Sequence, residues 1–527
     1  MRLSTILFLI TSAFVNAQMY IPADPADLLF AEEKIMVGGE DPGSLMVRPV
    51  VPVSTKSTSP WSLRIRNELF YNSDSPNLEN TSDRWIGKGG SYFTAANIAY
   101  NSKYFFGSIE PYYFVSQNQD YTEPDRINLF NNLNDNRPHG ETPYTSIGLR
   151  EIQFYINFKG FGGGYSNANM WWGPGLHNSL MISNNTTGFG HLVLGTINEK
   201  RYKNWGFNGR YVFSELGKGS KNKPYFAGFI ADATYFSLPI VTLGFSRILL
   251  SGGTNTSYAI SRSEAAFLPF QILSIDSKSG AKIYNRPIEQ TYTGYLNFRF
   301  PKSGVVLFFE WGRNEGPIDF NDLVLAPDHS DAFIIGLRKY GLFDNINLFI
   351  AVEYANIAHG ALWKTRETHD WYSNPQFEYN TYNGRHWAAH SGPDSDDFLL
   401  LIGYTKDGFA VIPSFNYERH GLTHSFVPTY EEADSVVDDR VLGEQYLGEE
   451  RTIYRGDGKI AEAKFEFRCD IRYRYKKYRF SMIYEYEHVL NYRFVDSDES
   501  KSNRSGNVFW FSLEKDFTNI IDNWFRN

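Results

Sequence analysis

The chain holds a single cysteine, Cys469, among 527 residues. No intramolecular disulfide can form, so stability must come from packing and strand pairing. Long hydrophobic runs are equally scarce. Beyond residue 17 nothing approaches the run of about 20 apolar residues that a membrane helix requires, and mean hydropathy is −0.39. The sequence has no obvious linker, no low-complexity tract and no short repeat of the solenoid or propeller kind. Excess positive charge is missing too: the net charge of −8 disfavours a nucleic-acid partner. Nucleophile elbow, phosphate loop and nucleotide fingerprint are all absent, so no catalytic residue is expected.

What is present begins at the N-terminus. Met1 and Arg2 precede a mostly apolar run from Leu3 to Val15, and Val15-Asn16-Ala17 ends it with modest or small residues. Charge, apolar run and cleavage-like end, in that order, read as a secretory signal peptide over residues 1–17. No cysteine follows, so a lipoprotein anchor is not indicated. Aromatic residues make up 17% of the chain, and such residues favour strands.

From about residue 60 some eighteen segments of roughly ten residues alternate apolar and polar positions. They begin near Trp61, Gly90, Lys103, Ile147, Phe161, Phe189, Lys203, Tyr225, Ile240, Gln290, Gly304, Asp331, Asn345, Asp396, Phe409, Glu462, Tyr478 and Ser505. In one, Val305, Leu307, Phe309 and Trp311 share a face opposite Glu310 and Gly312. The connections carry more information. Tight turns fall at Asn101-Ser102, Lys159-Gly160, Glu199 to Tyr202, Leu238-Pro239, Pro301 to Ser303, Tyr340 to Asp344, Lys406 to Gly408 and Lys476-Lys477. Long polar connections lie between them, at 72–89, 117–146, 171–188, 214–224, 251–289, 314–330, 357–395, 419–460 and 489–504. Strict alternation of short and long is the signature of a membrane barrel with short periplasmic turns and long outer loops. In lipid every backbone polar group must be paired internally, so the sheet must close.

The expected fold is all-β: a closed antiparallel transmembrane β-barrel of about 18 strands over residues 61–517, in the bacterial outer membrane. Residues 18–60 form a periplasmic N-terminal segment with a short helix, Pro25 to Ile35, which Asp24 or Asp27 can cap. Residues 518–527 are a C-terminal tail. A ring this wide leaves a channel unless something fills it. The N-terminal segment and the long loops, particularly 251–289, 357–395 and 419–460, are the available fillers.

Trp171-Trp172-Gly173-Pro174-Gly175-Leu176-His177-Asn178-Ser179-Leu180-Met181-Ile182-Ser183-Asn184-Asn185 resembles the signature of the capsule assembly Wzi family. Two softer stretches look like the same family. One is Glu310-Trp311-Gly312-Arg313-Asn314, followed by Pro327 to Phe333. The other is Tyr382-Asn383-Gly384-Arg385, followed by Gly392-Pro393-Asp394-Ser395-Asp396-Asp397. The resemblance spans roughly residues 60–517. It implies an outer-membrane barrel that binds capsular or extracellular polysaccharide and helps hold a capsule on the cell, a lectin-like role without bond-making chemistry. The expected partners are that polysaccharide and outer-membrane lipid, with the barrel a monomer.

The candidate glycan-binding residues are Trp171, Trp172, Ser183, Asn184 and Asn185. Indole faces can stack on sugar C–H faces, and the polar three can donate and accept at once. Gly173, Pro174 and Gly175 form a tight bend that allows close approach of another chain. A structural role competes: the tryptophans as interfacial belt residues, the bend as a device that folds a loop inward.

No cofactor and no metal site is expected. Asp394, Asp396 and Asp397 lack the wider ligand set of a calcium loop. His386 and His390, like His420 and His424, are four apart, but in loops that spacing has no helical meaning, and zinc needs three or four converging ligands. Glu310, Glu353, Glu485 and Glu487 face the lumen in this register, where paired charges fill pores more often than they hydrolyse glycosides. A porin-like transport channel and a secreted soluble β protein acting on glycans are the competing readings.

Overall fold

The structure, a computed structural model, describes residues 25–518 apart from 40–42, 51–59, 122–129, 131–132, 136–142, 198, 218, 255–259, 272–287, 315–323, 325–329, 359–370, 423–460 and 495–502. The expected signal peptide, residues 1–17, and residues 519–527 of the expected C-terminal tail lie outside the described residues. Eighteen antiparallel strands close into one barrel. They are β1 (Trp61–Asn72), β2 (Gly89–Asn101), β3 (Phe105–Ser116), β4 (Tyr144–Phe158), β5 (Phe161–Ser166), β6 (His191–Thr196, resuming at Lys200–Tyr202), β7 (Trp205–Glu215), β8 (Tyr225–Phe236) and β9 (Ile240–Ser251). The second half contains β10 (Ile288–Phe300), β11 (Val305–Asn314), β12 (Asp331–Leu342), β13 (Asn345–Asn356), β14 (Ser395–Lys406), β15 (Phe409–His420), β16 (Glu462–Tyr475), β17 (Tyr478–Leu490) and β18 (Arg504–Asp516). The seam is sealed by β1 against β18, from Arg64 opposite Asp516 to Asn72 opposite Val508.

Strand positions agree with the sequence pattern to within a few residues, with one correction. Glu199 to Tyr202 is not a turn. Lys200–Tyr202 continues β6 beyond an irregularity and pairs with β7, Tyr202 facing Trp205. The reversal falls at Lys203-Asn204, where Lys203 takes a left-handed φ of 54°.

The period of two sorts most wall residues. In β11, Leu307 and Phe309 are exposed outward, while Glu310 is fully buried inside. Ile147, Leu149, Ile156, Leu192, Leu194 and Leu243 extend the exposed apolar band around the wall. At the short-turn end, Tyr104, Phe158, Phe161, Tyr202, Trp205, Phe343 and Tyr475 stand exposed, an aromatic girdle of the kind that sits at a membrane interface. Many inward positions are charged: Glu68, Glu110, Arg150, Asp232, Arg299, Arg313, Arg338 and Glu353 are all buried, alongside inward apolar residues such as Val306, Phe308 and Ile334 that join the luminal core.

The described parts of the N-terminal segment, 25–39 and 43–50, lie inside this ring. Helix α1 (Pro25–Met36) buries Leu28, Leu29, Ala31, Ile35 and Met36. They share one core with Trp172, Leu176 and Leu180 of the loop after β5 and with Tyr340 and Phe349 of the wall. Its one fully buried charge, Glu32, receives Arg338 of β12 through two hydrogen bonds of 2.7 and 2.9 Å, and the Tyr340 hydroxyl at 3.0 Å. Of the three loops expected to cover the opening, 357–395 contributes Trp371, Tyr372 and Trp387 to the same core. The described part of 251–289 turns the other way. Helix α2 (Arg262–Phe267) and the turn after it lie on the outer wall, with Phe270 stacked on Phe229 at 5.8 Å and Tyr211 donating to the Ala266 carbonyl at 2.6 Å. Of 419–460, residues 423–460 lie outside the described residues.

Candidate functional site

The loop of residues 167–190, between β5 and β6, enters the lumen and becomes the hub of the molecule. Its first turn is pinned from three sides. Val47-Arg48 pairs as a two-residue ribbon with Trp171-Trp172. The Arg48 guanidinium lies 4.8 Å over the Trp171 ring and donates to the carbonyls of Gly175 (3.1 Å) and Gly173 (3.4 Å). Arg338, already bonded to Glu32, donates to the Pro174 carbonyl at 3.2 Å. Glu353 of β13 then accepts three consecutive backbone N–H groups, from Leu176 (2.6 Å), His177 (3.1 Å) and Asn178 (2.7 Å). One buried carboxylate thus satisfies three donors that a folded-in loop would otherwise leave unpaired.

The bend tolerates no side chain. Gly173 has a φ of +104°, and a Cβ there would lie 2.9 Å from the Glu310 carboxylate; one on Gly175 would lie 2.0 Å from the Asn178 carbonyl oxygen. Gly175→Ala is therefore expected to cost about 1–3 kcal/mol through overpacking. The measurement is the temperature at which the folded band disappears in a detergent gel, which should fall; an unchanged temperature would show that the bend can relax.

The tryptophan pair is not on a surface. Trp171 and Trp172 are both 0% exposed, inside the lumen rather than at the lipid boundary, so neither is a belt residue and neither ring face is open to a sugar in this conformation. Ser183, Asn184 and Asn185 are buried as well. Ser183 N–H and Oγ donate to the carbonyls of Trp387 and Ala388. Asn185 accepts from Asn80 N–H (3.1 Å) and donates to Asn134 Oδ1 (3.0 Å) and the His386 carbonyl (2.9 Å). Asn184 donates to the Asn80 carbonyl at 3.3 Å. These residues lace together loops that are far apart in the chain.

The other family-like stretches converge on the same hub. Glu310 faces the space that Gly173 leaves. Arg385 donates to Thr81 Oγ1 at 3.0 Å and to the Leu78 and Ser82 carbonyls. Of the three aspartates weighed for calcium, Asp396 and Asp397 point to opposite faces of the wall. Asp396 faces out and pairs with Arg419, whereas Asp397 faces in and accepts from Asn178 Nδ2 at 2.5 Å. His386 lies beside the Tyr372 ring, centroids 5.5 Å apart, while His424 is outside the described residues.

His390 instead meets His177 (ring centroids 4.2 Å apart), Glu79, Asp397 and Glu418, a grouping that sequence spacing does not reveal. Burial, with His390 beside it, lowers His177 to about 4. For His390 burial acts downward too, but the Asp397 and Glu418 carboxylates outweigh it and raise the group to about 10. Below the cluster lies a cavity of about 940 Å³, lined by α1, by Arg64, Arg66 and Arg472, and at its inner end by Glu79 and His177.

A closed eighteen-strand ring with an apolar, aromatic-rimmed outer wall and a charged, filled interior is a bacterial outer-membrane β-barrel. Among solved structures it shares its fold with Wzi of Escherichia coli, an outer-membrane protein involved in group 1 capsule assembly and a carbohydrate-binding β-barrel. The two are 10% identical over 93% of this chain and 97% of that one, with a TM-score of 0.56. OccAB4 of Acinetobacter baumannii (10% identity, 88% and 99% covered, TM-score 0.41) and OprD of Pseudomonas aeruginosa (8%, 87% and 94%, TM-score 0.39) are more distant in shape. No protein-family model and no curated protein sequence matches the chain.

Proposed function

We propose that this barrel binds capsular or extracellular polysaccharide at the cell surface and helps attach or assemble the capsule, as a lectin-like protein without bond-making chemistry. The observation that carries the reading is the convergence of the family-like stretches. Trp171 to Asn185, Glu310, Arg385 and Asp397 are scattered through the sequence, yet they meet in one luminal hub. The shared fold with a carbohydrate-binding barrel supports it. In this reading the tryptophan pair and Ser183, Asn184 and Asn185 act from beneath, holding the loops whose outer faces meet the glycan. Tyr382 and Asn383, in the short hairpin Thr381–His386, belong to that outer face: Asn383 is exposed and bonds Thr187 at 2.6 Å.

The cellular test compares polysaccharide retained on cells with polysaccharide released into the medium, with and without the gene. Loss of the barrel should shift polysaccharide from cells to medium without reducing the total; an unchanged ratio would refute the role.

The competing reading, a transport channel, draws on the 940 Å³ charged cavity. The plug and loops above it argue for a closed resting state. Purified protein in planar bilayers should therefore conduct far less than an open barrel of this strand number. Steady ohmic conductance would favour transport.

A further inference from the structure

We infer that His177, His390, Asp397 and Glu79 form a binding site for a divalent transition-metal ion of the zinc type, which ties three luminal segments together. His390 is 1% exposed, and its Nε2 is aligned for a hydrogen bond with no neighbour. That nitrogen nevertheless lies 3.2 Å from Asp397 Oδ2, 3.5 Å from Glu79 Oε2 and 3.6 Å from Glu418 Oε2. His177 Nε2 is 3.4 Å from the same Asp397 oxygen. Donor atoms on a tetrahedral ion with bonds of about 2.0–2.1 Å stand about 3.3 Å apart, and the His390–Asp397, His390–Glu79 and His177–Asp397 separations match three of the six edges of such a site. Two three-donor sets, Glu79–His177–His390 and His390–Asp397–Glu418, share His390.

The surroundings are those of a ligand set. His390 Nδ1 lies 3.2 Å from the His177 carbonyl, and a hydrogen bond from the far ring nitrogen to a backbone oxygen is the usual outer-shell support of a metal-bound imidazole. Asn178 and Asn416 both donate to Asp397 and hold its carboxylate in place.

The cluster is acidic: Glu79, Asp397 and Glu418 surround His390, and Lys464 pairs with Glu79 and Glu418. Two imidazoles favour zinc-like ions over calcium or magnesium, which prefer oxygen throughout. The cavity reaches Glu79 and His177 and supplies the route from the periplasmic side. Each ligand comes from a different element: Glu79 from the loop after β1, His177 from the hub, His390 from the loop after β13 and Asp397 from the wall.

The test uses the full-length barrel in detergent, stripped with EDTA and titrated with zinc chloride by calorimetry, with calcium chloride in parallel. One zinc site per barrel is expected, with calcium much weaker. His177→Gln and His390→Gln should each weaken zinc about tenfold or more, while His488→Gln in β17, bonded to Ser505, should not. Absence of saturable zinc binding, wild-type zinc affinity in both His variants, or equal affinity for calcium would overturn the site. Should the variants fail to fold, X-ray absorption of cobalt-loaded wild-type protein decides. Two imidazole ligands support the site and an all-oxygen shell refutes it. No polysaccharide enters either experiment, so its outcome is independent of the glycan reading.

Discussion

Glu32→Ala should release the plug. The change leaves the Arg338 guanidinium, 1% exposed, without its carboxylate partner deep in the ring. Removing one member of a buried ion pair costs about 3–5 kcal/mol, because the survivor keeps its charge with no carboxylate opposite it; here only the Pro174 carbonyl would still accept from Arg338. That penalty acts on docking of α1 rather than on the barrel, whose eighteen-strand ladder does not pass through Glu32. The expected result is a barrel that still migrates as folded in cold detergent but becomes sensitive to protease near residues 25–36 and conducts ions more readily. Replacing both partners, Glu32→Leu with Arg338→Met, should recover most of the protection, since no buried charge remains. Protease resistance unchanged in Glu32→Ala would mean that α1 is held by its apolar face alone.

Trp172→Ala should damage the same assembly from the other side. Trp172 is 0% exposed and belongs to the core that joins α1, the hub loop and the wall. Truncating a buried aromatic of this size costs about 3–5 kcal/mol, part transfer and part cavity. Trp171→Ala should be comparable, since it also strips the cation–π partner from Arg48. The readout is the unfolding temperature in detergent together with glycan binding of the folded fraction. Stability should fall, while affinity per folded molecule changes little. Normal stability with binding lost would return the pair to the role of a sugar-stacking platform.

The division between what the chain reveals and what it hides has physical causes. Strand positions were readable because lipid outside and charge inside impose a period of two on every wall segment, as in Leu307, Phe309 and Glu310. Turn-and-loop alternation was readable because short and long connections sit on opposite sides of the membrane. The β6 boundary was not. Gly195 at a φ of +138° and the irregularity after Thr196 break the alternation, and the polar run Glu199-Lys200-Arg201 imitates a turn. The motif Trp171 to Asn185 was visible, but its burial was not, since a loop folded into a lumen has the composition of a loop outside. The His177–His390–Asp397 cluster was hidden because its members are brought together only by barrel closure and inward folding. The His386–His390 spacing pointed at a partner that the fold places elsewhere.

Direct binding of surface polysaccharide is the central claim. The measurement that tests it most directly is surface plasmon resonance of the purified, detergent-solubilised barrel, immobilised and exposed to polysaccharide extracted from the bacterium that produces it. Saturable binding, competed by the same polysaccharide in solution and absent from a control barrel of similar size, is the predicted result. Response no greater than that of the control barrel, with protein shown to be folded by its heat-modifiable migration, would contradict the account.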